Sequence, residues 1–162
     1  MSVILPPHRL QVALLQPEIA PNTGNIGRLC VASGTPLHLV RPLGFVLSDR
    51  NLKRSGMDYW ERLQVTVHDD DEAFFKAIAD TPVWLFTSKA NQSVWETEFR
   101  DGDLLIFGSE TRGISDRVRS KYPGREVRIP QVATERCLNL STAVGIGLYE
   151  ALRRVTTIRG CM

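Results

Sequence analysis

Short runs of apolar, β-forming residues recur along the chain as Gln11–Leu15, Leu37–Val40, Val65–Val67, Val83–Phe86, Leu104–Phe107 and Val127–Ile129, each bounded by Gly, Pro or Asp. Runs of this length with little polar alternation predict strands buried on both faces. Between several of them the apolar spacing widens to three and four, which predicts helices over Asn22–Ser33, Asp71–Ala79, Ser115–Lys121 and Leu138–Val155. The last of these places Leu140, Val144, Leu148, Ala151, Leu152 and Val155 on one stripe, a core or subunit-contact face. Strands alternating with helices predict an α/β domain with a parallel sheet flanked by helices. With no repeat, low-complexity segment or linker, one domain is expected over residues 8–156, between an N-terminal tail at 1–7 and a C-terminal tail at 157–162.

Composition changes this picture little. The 162 residues are 43% hydrophobic and 23% charged, which is ordinary for a folded soluble domain, and the net charge is only +2. That balance excludes a strongly basic nucleic-acid module but not a local basic face, because the arginines are bunched at 112, 117, 119, 125 and 128 and again at 153, 154 and 159. The three cysteines, Cys30, Cys137 and Cys161, form no CxxC pair and suit a reducing cytoplasm rather than a disulfide framework or zinc site. No run approaches the length of a transmembrane helix, and the N-terminus lacks the charged and apolar regions of a signal peptide, so no membrane association is expected.

The familiar chemistries fail one by one. Between the first strand and the first helix stands Gly24-Asn25-Ile26-Gly27, which is not the G-x-G-x-x-G of a dinucleotide fold. No Gly-Lys-Ser or Gly-Lys-Thr exists for a phosphate-binding loop, and all three histidines, His8, His38 and His68, precede every candidate serine nucleophile in the C-terminal half. The histidines are also too scattered for a metal set, so no metal is expected.

What remains are three polar, glycine-bearing segments at predicted strand ends or helix starts, where ligand crevices of open α/β sheets lie. They are Pro21-Asn22-Thr23-Gly24-Asn25-Ile26-Gly27-Arg28, then Phe107-Gly108-Ser109-Glu110-Thr111-Arg112-Gly113-Ile114, then Ile129-Pro130-Gln131 running on to Arg136-Cys137-Leu138-Asn139-Leu140-Ser141-Thr142-Ala143. In the first, Asn22 or Thr23 suits a helix cap, whereas Arg28 stands on a helix otherwise apolar at Ile26, Leu29, Cys30 and Val31. In the second, the glycines allow close backbone approach, Glu110 is able to accept ligand hydroxyls or orient a base, and Ser115 suits the cap of the next helix. In the third, Asn139, Ser141 and Thr142 cluster where a plain cap needs one of them.

In order and spacing these segments resemble the signature motifs of the SPOUT RNA methyltransferases, N-T-G-N-I-x-R, F-G-x-E-x-x-G and N-L-S-x-A-V. The likeness extends to Gln16-Pro17-Glu18-Ile19-Ala20-Pro21, Leu43-Gly44-Phe45 and Gly56-Met57-Asp58-Tyr59-Trp60, so that nearly the whole chain is similar to the small TrmL (YibK-type) subgroup. The resemblance implies a C-terminal trefoil knot, a homodimer packed through the first and last helices, and S-adenosyl-L-methionine as methyl donor, released as S-adenosyl-L-homocysteine. It implies 2′-O-methylation at the wobble position 34 of tRNA, cytidine or a modified uridine, with the anticodon stem-loop as partner. Carried over by motif, Arg28, Glu110, Asn139 and Ser141 are the expected catalytic set. Phe86, Thr87, Gly108, Glu110, Gly113, Ile129, Cys137 and Leu138 are expected at the cofactor, and Asn22, Arg136 and Tyr149 at the RNA. Many relatives carry serine or methionine where this chain has Cys137; the contact there is largely main-chain, so the exchange is expected to be tolerated.

Arg28 needs a physical role of its own, because a guanidinium with a pKa above about 12 is a poor base at neutral pH. A bidentate grip on a substrate phosphate that orients the ribose fits its chemistry. Two other readings stay open: a knotted 2′-O-methyltransferase for another RNA, and a non-catalytic RNA-binding protein with the same fold.

Overall fold

The computed structural model describes residues 4–48 and 58–160, apart from the side chains of 158–160. Gly56, Met57, Cys161 and the Arg159 side chain of the sequence reading lie outside the described residues. The elements run β1 (Gln11–Leu15), α1 (Ala20–Ser33), β2 (Leu37–Val40), β3 (Val65–His68), α2 (Asp71–Ala77), β4 (Val83–Phe86), β5 (Leu104–Phe107), α3 (Asp116–Arg119), β6 (Glu126–Val127) and α4 (Leu140–Gly160), with 3-10 turns at Trp60–Arg62 and Val94–Glu96.

The six strands form one parallel sheet in the order β3-β2-β1-β5-β4-β6. Because side chains alternate across a strand, the sheet separates two apolar layers. Val12, Leu14, Leu37, Leu39, Phe86, Leu105 and Phe107 face α1 and α4, meeting Ile26, Cys30, Val144, Leu148 and Leu152. Ala13, Leu15, Val40, Leu85, Leu104 and Ile106 face the other way, onto Phe74, Ile78, Ile114 and Val118 of α2, α3 and their flanks. The strands β4 and β5 are buried at every position, which is why their sequences carry no polar alternation.

Several expected boundaries move, each for a local reason. Helix α1 begins at Ala20, ahead of Asn22, because Pro21 is tolerated in a first turn whose N–H groups have no helical partner. Asn22 and Thr23 therefore lie inside the helix and cap nothing; the N-cap is Ile19, which offers no side-chain acceptor. At the other end Gly34 closes α1 in the left-handed region at φ 69, its N–H donating to the Cys30 and Val31 carbonyls. Ser115 caps α3 as expected, accepting from the Val118 N–H. Strand β6 ends at Val127 rather than Ile129, and Arg128 instead pairs in parallel with Ser93 on the outer side.

Helix α4 runs on to Gly160, through most of the segment expected as a tail. The Thr156 and Thr157 hydroxyls bond back to the Leu152 and Arg153 carbonyls, each at 2.7 Å, and nothing breaks the helix before Gly160. Its apolar stripe is core: Leu148 is fully buried and Leu152 2% exposed within the single chain.

The histidines are satisfied structural groups. His8 accepts from the Leu10 N–H at 3.1 Å and bonds the Ser33 carbonyl at 2.7 Å. His38 bonds His68 at 2.9 Å through one ring nitrogen and Gln11 Oε1 at 2.9 Å through the other, and His68 meets the Phe74 ring edge-on. Burial, with His68 alongside, lowers the His38 pKa from 6.5 to about 4, and burial lowers that of His68 too. A depressed histidine pKa means that the unfolded chain takes up a proton the folded one refuses, so stability is lost as pH falls from about 6.5 toward about 4. Allowing for partial solvent access, the loss is on the order of 1–2 kcal/mol. Urea unfolding at pH 7 and pH 4.5 should show it, and His38→Gln should shrink it.

Candidate active site

The loops that follow β4, β5 and β6 meet the starts of α1 and α4 at the carboxyl edge of the sheet, close to the β1–β5 pairing where the strand order reverses. Together they line a cleft of about 500 Å³. Its wall includes Phe86, Phe107, Ile129 and Leu138, with the Phe86 and Phe107 rings stacked at 4.4 Å. Gly147 on α4 makes room for the Phe86 ring, against which any Cβ there would press.

After β5 the chain turns so tightly that a Cβ on Gly108 would enter the backbone of Gly113 and Ile114. The turn is closed by the Gly113 N–H on the Ser109 carbonyl at 2.9 Å, with Gly113 at φ +64. It presents Glu110 to the start of α1. One Glu110 oxygen accepts from the Glu18 N–H at 2.7 Å; the other accepts from the Ile19 N–H at 3.0 Å and the Asn22 amide at 3.3 Å. A carboxylate thus sits at the positive end of the α1 dipole and satisfies the N–H groups of the two residues that lead into the helix.

The network continues into α4. Asn139 donates to Asn22 Oδ1 at 3.0 Å, and Asn139 Oδ1 accepts from the Ser141 N–H at 2.9 Å and the Ser141 hydroxyl at 2.7 Å, which makes Asn139 the cap of the last helix. Three loops far apart in the chain are thereby held in register around the cleft.

All eight residues expected at the cofactor line this cleft: Phe86, Thr87, Gly108, Glu110, Gly113, Ile129, Cys137 and Leu138. Asn22 and Asn139 line it as well, and Ser141 is bonded to Asn139 just behind. Glu110 faces the helix rather than open space, and Asn22 is only 6% exposed with both ends of its amide engaged. Besides Ser141, three expected residues lie outside the cleft wall. Arg28 is exposed on α1 with its guanidinium 5.4 Å from the Tyr59 ring centre, Arg136 is exposed on the loop before α4, and Tyr149 is half exposed on the outer face of α4.

Sequence reasoning missed several contributors. The Glu18 side chain accepts from the Thr111 hydroxyl at 2.7 Å, tying the Gly108–Gly113 turn to the chain before α1. The Tyr59 hydroxyl donates to the Gly24 carbonyl, fixing the ring beneath Arg28. Lys89, Arg112 and Arg128 also line the cleft; Lys89 carried no sequence signal, Arg128 only the bunching of arginines, and Arg112 that bunching and its place in the second glycine-bearing segment. Of the cysteines, Cys30 is buried and its thiol pushed up to about 12 by burial, whereas Cys137 is exposed at the cleft. Among the described residues no three His, Cys, Asp or Glu side chains gather to hold a metal, and no helix is long and apolar enough to cross a membrane.

This parallel sheet, with a glycine-hinged cleft at its carboxyl edge, carries the features of a known class. Residues 9–149 match the SpoU rRNA Methylase family, and the chain belongs to that family. A tRNA (cytidine(34)-2′-O)-methyltransferase of Methylovorus glucosotrophus is 45% identical over 144 residues, covering 88% of this chain and 94% of the relative. A solved structure described as giving insight into the 2-OH methylation of C/U34 on tRNA superposes with a TM-score of 0.86 at 44% identity, covering 93% of this chain and 98% of that one. The AdoMet-bound rRNA methyltransferase of Sinorhizobium meliloti shares the fold, with a TM-score of 0.79 at 24% identity over 93% of this chain and 58% of its own.

Proposed function

We propose that this protein transfers a methyl group to the ribose 2′-hydroxyl at the wobble position 34 of tRNA, cytidine or a modified uridine, acting in the cytoplasm as a homodimer. The observation that carries the reading is the 45% identity to a relative of that activity over nearly the full length of both chains. The cleft itself supports catalysis over a purely RNA-binding role, since all eight residues expected at a cofactor lie in its wall. A C-terminal trefoil knot belongs to the same proposal, as does dimer contact through α1 and α4, the latter carrying the exposed Ile146.

The cleft fits S-adenosyl-L-methionine: its volume is in the range of small-molecule sites, its walls combine aromatic and aliphatic surface with backbone polar groups, and a Cβ at Gly108 would close the turn on which it rests. Bound there, that cofactor supplies a methyl group on its sulfonium and leaves as S-adenosyl-L-homocysteine, with no metal required. Phe86, Thr87, Gly108, Ile129, Cys137 and Leu138 hold the adenosyl part. Glu110, Asn139 and Ser141 act by shape, fixing the starts of α1 and α4 and hence the direction from which the ribose arrives. Arg28, exposed and outside the wall, suits a phosphate of the bound RNA, while Arg136 and Tyr149 extend that contact along the anticodon stem-loop. The chain's contribution to rate is alignment of the 2′-oxygen with the methyl group, which by itself is worth several orders of magnitude.

The test is mass-spectrometric mapping of ribose methylation in tRNA from cells with and without the gene. Position 34 should lose its 2′-O-methyl group and regain it on complementation. Unchanged position 34 with loss of a methyl group elsewhere in tRNA or in rRNA would refute the assignment.

A further inference from the structure

Several arginines away from the cleft have partners. Arg119 pairs with Glu126 at 2.7 Å and Asp116 at 3.1 Å, Arg125 lies over the Trp84 ring and donates to the Val83 carbonyl, and Arg154 pairs with Glu150 at 3.1 Å. Lys89 in the cleft wall is likewise held by Asp116 at 3.3 Å. Arg112 and Arg128 are the two arginines of the cleft wall. Both line the cleft and both are exposed, yet neither side chain forms an ion pair or hydrogen bond among the described residues. The one carboxylate in the cleft wall, Glu110, is directed at the start of α1.

Their backbones, by contrast, are fixed. The Arg112 N–H donates to the Ser109 hydroxyl at 3.3 Å within the glycine turn. The Arg128 N–H donates to the Gln92 carbonyl at 2.8 Å, and the Arg128 carbonyl accepts from the Val94 N–H at 3.0 Å. Two rigidly based, unpartnered guanidiniums thus flank one cleft.

Resting on the reading of this cleft as the site of RNA ribose methylation, we propose that Arg112 and Arg128 form a two-pronged clamp on the phosphates that flank the target nucleotide. Arg112 stands in the turn after β5 and Arg128 directly after β6, with β4 between the two strands, so the guanidiniums rise from separate loops of one cleft. A single cofactor carboxylate uses one guanidinium and leaves the other unmatched. Successive phosphates on either side of one splayed-out nucleotide use both, each through the parallel donors that suit arginine to phosphate oxygens. The clamp holds backbone and reads no base, so it sets how firmly the nucleotide is presented and not which nucleotide is chosen.

The test uses the full-length protein with Arg112→Ala, Arg128→Ala, both together, and the two lysine variants, each checked for an unchanged melting temperature. Three readouts are taken: S-adenosyl-L-methionine affinity by calorimetry, affinity for an anticodon stem-loop across a salt series, and turnover against RNA concentration. Each alanine should weaken RNA binding about tenfold and reduce the slope of log affinity against log salt by roughly 0.7, the value for one single-strand phosphate contact. KM should rise with saturating turnover within about threefold, and cofactor affinity should stay within about twofold. Lysine should keep the slope and recover part of the affinity. Loss of cofactor affinity with an unchanged salt slope would overturn the clamp in favour of the cofactor's carboxylate, and unchanged values in all three readouts would overturn it outright. If the wild-type protein leaves position 34 unmethylated while the slopes still fall, the wobble assignment fails and the clamp stands for another RNA.

Discussion

Arg28→Ala and Arg28→Lys are both expected to lower methyl transfer by about a hundredfold or more, the scale on which a misplaced reacting group loses rate, while cofactor affinity stays within about twofold. The expectation follows from where the side chain is. It lies outside the cleft wall, on the exposed face of α1, resting over the Tyr59 ring at 5.4 Å. Tyr59 is itself fixed by its hydroxyl bond to the Gly24 carbonyl one turn earlier in α1, so the guanidinium is held on a prepared surface with its donors free for a ligand. Among the described residues no carboxylate pairs with it. A group so placed fits the proposed contact with RNA rather than with the cofactor. Lysine keeps the charge but loses the paired donors and weakens the contact with the tyrosine ring, so it should rescue little. Single-turnover methylation of tRNA combined with calorimetric titration of the cofactor separates the two effects. Near wild-type turnover in Arg28→Ala would remove Arg28 from the mechanism, and collapse of cofactor binding in a folded variant would move it into the cleft.

The contrast between Arg28 and Glu110 shows what the amino-acid order makes legible. The strands β4 and β5 were readable to the residue because each is an unbroken apolar run closed by a turn former, and a strand buried on both faces has no other way to look. The motif-bearing loops were readable as a site because they fall where strands end. The start of α1 was not, because the chain leading into it is held by Glu110, 91 residues away from Ile19, and no local rule connects them. Asn22 took the name of a cap from its residue type, yet it lies inside the helix and bonds Glu110 and Asn139. The stripe on α4 was left between core and subunit contact because periodicity gives the direction of an apolar face and says nothing of what covers it; within one chain β5, α1 and the Val94–Glu96 turn cover it. Arg128 was visible only as a member of a basic cluster and Arg112 only as one residue of a candidate loop, since being unpartnered is a property of neighbours brought in from other strands.

Gly108→Ala should cost both stability and cofactor binding, and the reason is the nature of its neighbour. The added Cβ would enter the carbonyl and carbon of Gly113 and the nitrogen of Ile114, which are main-chain atoms unable to rotate aside as a side chain does. The turn must open, and with it go the Gly113–Ser109 hydrogen bond and the placement of Glu110 against the Glu18 and Ile19 N–H groups. Overpacking of this kind costs about 1–3 kcal/mol. Cofactor affinity should fall by at least about tenfold, because the same turn forms one wall of the cleft. Gly145→Ala is the matched control: it adds the same methyl group within α4, where the nearest heavy atom is Leu29 Cδ2 at 4.0 Å. Relief of the glycine penalty inside a helix should leave that variant equal to wild type or more stable by about 0.5–1 kcal/mol. Thermal unfolding and calorimetric titration of the two variants side by side settle the point. Wild-type cofactor affinity in Gly108→Ala would mean that the turn relaxes without cost and that the cofactor does not rest on it.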